Sequence, residues 1–99
     1  MITMGSIQSG DAQILTYNGA ALALAYTNSQ VLVLLCQTHD VYFSYSEGGL
    51  QQDSTRWKMV KGGTTGSPLI IPLPNLASGI LYFASANAGV AASVSMWQM

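Results

Sequence analysis

Charge is what this sequence lacks. Its 99 residues include three Lys or Arg, four Asp or Glu and one His. Only 7% are charged, where a globular domain usually has about a quarter. No residue after Lys61 bears a formal charge. The net charge of −1 gives no electrostatic reason to expect nucleic acid or an acidic membrane as partner. The single cysteine, Cys36, excludes an internal disulfide, so the fold does not depend on an oxidising compartment. A structural zinc site takes four ligands of the Cys or His type, which one Cys and one His do not supply. No cofactor is expected. The opening "MITMGSIQSG" has neither a basic nor an apolar stretch, so it does not read as a secretory signal.

What is present is apolar, small and regularly punctuated. The hydrophobic share is 49%, and Ser, Thr, Gln, Asn and Gly take over the solvating role. That balance argues against disorder. The length suits one domain with one core. Breaks at Asn18-Gly19, Thr27-Asn28-Ser29, His39-Asp40, Glu47-Gly48-Gly49, Lys61-Gly62-Gly63, Pro74-Asn75, Ser78-Gly79 and 87–89 leave segments of strand length. Between them the period is two. Val41, Phe43 and Tyr45 alternate with Tyr42, Ser44 and Ser46, and Val90, Ala92, Val94 and Met96 alternate with Ala91, Ser93, Ser95 and Trp97. Strands are therefore expected near 13–17, 20–26, 30–37, 40–46, 55–60, 68–73, 79–85 and 90–98. The fold class is all-β: a compact antiparallel β-sandwich of about eight short strands, jelly-roll-like. Residues 1–12 show no period and read as an extended N-terminal arm, with 13–99 as the domain. "AALALAYTNSQVLVLLC" is interrupted by polar Thr27–Gln30 and lacks basic flanks, so it reads as two strands and a turn, not a membrane span. Pro68, Pro72 and Pro74 place their segment at an edge or an interruption, since proline cannot donate to a ladder.

Catalytic chemistry finds little footing. His39 follows Cys36 at a spacing a Cys–His pair can use, with Asp40 beside it, but a turn between strands commonly holds such residues. "GGTTGSP" lacks the Lys-Ser/Thr ending and following helix of a phosphate loop. The carboxylates Asp11, Asp40, Glu47 and Asp53 fall in expected loops or in the arm. Arg56, Lys58 and Trp57 form the one basic–aromatic patch, and alternation puts Arg56 and Lys58 toward solvent with Trp57 inward. The chain reads as a non-enzyme.

The missing charges carry a positive message. Isolated sheets guard their edges and faces with Lys and inward charges, and the later strands here have none. "VLVLLC" and "ILYFA" are apolar on both faces. A strand of that kind needs a covering layer on each side, which points to a building block that closes against neighbours. In the arm, Ile2, Met4 and Ile7 are the side chains placed to anchor in a partner's groove.

Five segments, "VYFSYSEGG", "RWKMV", "LIIPLP", "SGILYFASANAG" and "ASVSMW", with Trp57, Gly79, Tyr82 and Gly89 at matching places, give the stretch Val41–Trp97 a recognisable order. A strand runs into an acidic-Gly turn, then come a Trp strand, a Pro-flanked apolar strand, a Gly-led aromatic strand and a Val/Ser terminal strand. This order resembles the small β-sandwich decoration, or cement, proteins of tailed-bacteriophage capsids. The resemblance implies a non-enzymatic protein of the virion, made in the host cytoplasm and bound to the major capsid protein on the outer shell, often as a dimer or trimer. An alternative from another class is a glycan-binding sandwich in a tail or adhesin, with Tyr42, Tyr45 or Trp97 as stacking platforms. A tail or portal accessory component is a third reading.

Overall fold

The computed structural model describes residues 7–14, 21–36, 38–51, 56–60, 68–87 and 89–99, and of the first of these segments chiefly the backbone. The described chain is all-β, with one turn of 3-10 helix at Gly48–Gln51. Its strands are β1 (Ile7–Ile14), β2 (Leu22–Cys36), β3 (Val41–Ser44), β4 (Trp57–Met59), β5 (Leu69–Ser85) and β6 (Ala92–Gln98). They form one sheet in the order β1-β6-β2-β5-β3-β4, with a further pairing of β1 to β5.

Six strands stand where eight were expected, and the reason is local. The segments 20–26 and 30–37 are one strand, β2, and 68–73 and 79–85 are one strand, β5. The polar breaks that suggested turns lie opposite each other. Tyr26 pairs with Gly79, Ser29 with Ala77 and Val31 with Pro72, with register shifts between them. The residues Leu73–Leu76 therefore bulge out opposite Gln30 alone. Asn28 and Asn75 take positive φ, 47° and 56°, a conformation Asn tolerates better than most residues. The turn residues bend a ladder that continues through them, and one continuous sheet replaces the two separate sheets of a jelly roll.

The pairings also show how far the ribbon bends. β1–β6, β6–β2 and β2–β5 are antiparallel, whereas β1–β5 is parallel. Three reversals and one non-reversal cannot close a ring of straight strands, so the path must double back along a strand. The bulged β2–β5 ribbon is where it does. Its first half (Leu22–Tyr26 with Gly79–Phe83) joins β3 and β4, and its second half (Leu32–Leu34 with Leu69–Ile71) joins β6 and β1.

Both halves enclose a single core. Leu24 and Tyr26 from one half, Leu32, Leu34 and Cys36 from the other, and Val41, Phe43, Met59, Leu81, Phe83, Ala92, Val94 and Met96 form one buried cluster. Each fully buried Leu or Phe contributes about 1.5–3 kcal/mol. Of the alternation expected for β3 and β6, Val41, Phe43, Ala92, Val94 and Met96 are inside as read. Tyr45, grouped with Val41 and Phe43, is largely exposed, and Ser44 and Ser95 of the opposite sets are buried. The bend is pinned by polar groups. Thr27 N–H donates to Gln98 Oε1 at 2.8 Å and Asn28 N–H to Ser78 Oγ at 2.9 Å. The buried Ser29 hydroxyl lies 3.0 Å from both the Thr27 carbonyl oxygen and Gln98 Oε1, donating to one at a time. Beside it, Gly79 leaves room for the Tyr26 ring. A Cβ at 79 would stand 2.7 Å from the Tyr26 hydroxyl oxygen.

Residues 7–12, read from sequence as arm, run within β1 and pair with Ala92–Trp97 of β6. Asp11 thus lies in a strand, opposite Ser93. Residues 1–6, with Ile2 and Met4, and residues 52–55, with Asp53, lie outside the described residues.

Candidate functional site

The odd residues of β2's second half face away from the core. Leu32, Leu34 and Cys36 are buried, while Val31, Val33 and Leu35 are half-buried on the opposite face. Register extends that face sideways. Val33 is flanked by Ile70 on β5 and Trp97 on β6, and Trp97 in turn by Ile7 on β1. One row of apolar residues, Ile70–Val33–Trp97–Ile7, therefore crosses four strands. Val31 and Pro72 stand on one side of it, Leu35 and Ser95 on the other. Ile70 is 63% exposed. On this face the first formally charged position by register is Asp11, two rows away opposite Ser93. Ile7, named in the sequence for partner contact, takes its place in this row; Trp97, named for sugar stacking, is its neighbour.

Among the described residues, the edge beside this face is blunted against strand addition. Val31 exchanges both backbone hydrogen bonds with Met99, donating at 3.3 Å and accepting at 3.0 Å. Pro72, opposite Val31, therefore points its nitrogen away from β2, toward the open edge. Pro68 shares that phase. Of the outward nitrogens at 68, 70 and 72, only that of Ile70 carries a hydrogen. The prolines do stand on an edge, as their chemistry requires.

A second apolar surface opens at the far end of the core. A groove of about 400 Å³ is lined by Phe43, Tyr45, Trp57, Lys58, Leu69 and Ile71. Trp57 was expected inside; it is 50% exposed. Its ring shares the inward face of β4 with Met59, but β4 is an outer strand, and Phe43, with centroids 5.6 Å apart, covers one side of it. Tyr45, 45% exposed, meets Trp57 nearly edge-on at 6.0 Å and 79°. The two make an aromatic corner. Alternation finds the face of Trp57, but nothing in the sequence tells that this end of the face stays open.

The polar residues gather elsewhere. On the outer side of β3 and β4 the Arg56 guanidinium lies 4.1 Å over the Tyr42 ring and donates to the Leu50 carbonyl at 3.3 Å. Lys58 pairs with Asp40 at 3.4 Å. Cys36 is buried, and its thiol donates to the Met59 carbonyl at 3.4 Å. Burial, with Asp40 adding to it, holds that thiol above its usual range, which disfavours the reactive thiolate. His39 Nδ1 is buried without a hydrogen-bond partner among the described residues. No His, Cys, Asp or Glu trio that could hold a metal ion occurs among the described residues. No described helix is long and apolar enough to cross a membrane. The three stacking candidates are not brought together: Tyr42 lies under Arg56, Tyr45 at the groove and Trp97 in the apolar row. No protein-family model, curated protein or solved structure matches the chain.

Proposed function

We propose that this chain is a non-enzymatic structural protein of a virion: a decoration protein that binds the major capsid protein on the outer shell of a tailed bacteriophage. The observation that carries the reading is the uncharged row Ile70–Val33–Trp97, flanked by Val31, Pro72 and Leu35. A face of this kind is stable in water only at a cost, and its natural use is to be covered. The resemblance of the segment order to capsid cement proteins is the support for naming the cover, and the proline-blunted edge favours a contact of side-chain surfaces.

Size supports a many-copy setting. Six side chains, several of them half-buried, fall well short of the ~800 Å² per partner that a stable pairwise interface buries. Each docking event is then modest, and stabilisation of a shell comes from repetition, each copy bridging neighbours that must separate together. The experiment is direct. Undecorated phage shells are mixed with the protein and imaged. Added density at regular positions, lost with Ile70→Asp, is the expected result. Shells that stay bare at saturating protein refute the proposal, and binding to a glycan array in their place would favour the adhesin reading.

A further inference from the structure

Among the described residues the aromatic groove and the bulge of β5 are both uncovered surfaces, and they suit each other. We propose that the bulge of one copy seats in the groove of a second copy, with Pro74 and Leu76 of the first filling the space between Tyr45, Trp57, Leu69 and Ile71 of the other. This inference involves a different surface from the shell-docking face and stands or falls without it.

The groove dictates what it can accept. At about 400 Å³ it exceeds a cavity of roughly 150 Å³, which already holds a benzene ring, so two apolar side chains fit. Its lining is hydrocarbon and aromatic apart from Lys58, whose ammonium is engaged by Asp40. A sugar ring would leave hydroxyls without partners against Phe43, Leu69 and Ile71, at a cost of one or more kcal/mol each. Tyr45 and Trp57, set nearly at right angles, offer the kind of aromatic corner on which proline rings dock.

The bulge supplies that chemistry. Leu73–Leu76 stand out opposite Gln30, and the left-handed turn at Asn75 presents its neighbours outward. Pro74 is exposed and Leu76 is 62% exposed. No charge lies in the bulge or anywhere after Lys61, so no ion has to be desolvated when Pro74 and Leu76 enter an apolar slot.

Geometry makes the contact intermolecular. Leu69 at the groove and Leu76 at the bulge are seven residues apart on β5, at most about 23 Å at roughly 3.3 Å per residue, and the strand between them is fixed by pairing to β2. A copy does not bend its own bulge into its own groove. Reciprocal exchange between two copies gives a dimer, and passing the contact onward gives a ring.

The test uses the full chain in solution, without shells. Light scattering is expected to show a dimer or ring for the native protein. Leu76→Asp removes the knob and Tyr45→Arg obstructs the groove; each is expected to weaken association by at least about tenfold while circular dichroism and thermal unfolding stay native. Mixed together, the two variants are expected to recover a one-to-one heterodimer, because the intact bulge of Tyr45→Arg meets the intact groove of Leu76→Asp. If Tyr45→Arg does not fold, Trp57→Ser takes its place. A native chain that stays monomeric at high concentration overturns the proposal. So does Leu76→Asp with undiminished association, or a mixture that stays monomeric while the native chain assembles.

Discussion

The two outer surfaces of this molecule are furnished in opposite ways. Over β3 and β4, Arg56 covers Tyr42 and Lys58 pairs with Asp40, so exposed rings and backbone meet charge before they meet water. Across β5, β2 and β6, the row holds Ile70, largely exposed, with Val33 and Trp97 half-buried beside it. Arg56, Lys58 and Asp40 gather on the first side, whereas on the second the nearest charged position by register is Asp11, two rows from Trp97. The contrast teaches that scarcity of charge here is a property of one face and not an average over the surface. A face that keeps its cations is built to remain wet; one that has none is built to be covered.

The strongest way to break this contrast is to charge the bare face. Ile70→Asp combined with Trp97→Ala is expected to lower shell binding by more than about thirtyfold, the scale of an interface hot spot. Ile70 is largely exposed, so the melting temperature of Ile70→Asp alone should move little. Binding that survives the double change would mean that another surface docks.

The next effect concerns the bend that puts the two surfaces on one sheet. Gly79→Ala forces a Cβ against the Tyr26 ring and is expected to cost about 1–3 kcal/mol, read by urea unfolding. Ser29→Ala removes a buried hydroxyl from the Gln98 and Thr27 network and is expected to cost about 1 kcal/mol. A larger loss for Ser29 than for Gly79 would move the origin of the bend from steric fit to hydrogen bonding. On the furnished side, Arg56→Ala gives up one stacked guanidinium, worth about 0.5–1 kcal/mol.

Smallest of all near neutrality is the effect of pH. Burial raises the Tyr26 phenol, with Tyr45 adding to it, and burial raises the Cys36 thiol, with Asp40 adding to it. Both groups hold their protons more tightly folded than unfolded. Their contribution to stability is therefore level below the ordinary thiol value of 9.0 and falls as pH climbs past it and past the ordinary phenol value of 10.0. Denaturant midpoints from pH 7 to 11 check the sign. A protein that gains stability over that range contradicts the burial of both groups.

The period-two signal was enough to read the class and most of the inward sets of β3 and β6. It failed at Tyr45, which lies past the end of β3 and is exposed, and at Ser44 and Ser95, which are buried on the other face. Strand number was misread for a physical reason. Asn28 and Asn75 carry the chemistry of turns, yet both sit within one ladder, Asn28 beside Ser78 and Asn75 in the bulge opposite Gln30, and only pairing tells a bend from a break. The apolar odd positions Val31, Val33 and Leu35 were legible as a second greasy face. The row they form with Ile70 and Trp97 depends on strand order, which no local pattern encodes. Trp57 shows the same limit. Its face follows from alternation, but its exposure follows from where the sheet ends.

Footprinting of the protein by hydroxyl radicals, free and bound to phage shells, tests the central claim most directly. Trp97, in the uncharged row, is expected to lose most of its labelling on binding, while Tyr42 under Arg56 keeps its own. Unchanged labelling of Trp97 on decorated shells would contradict the assignment of that row as the covered face.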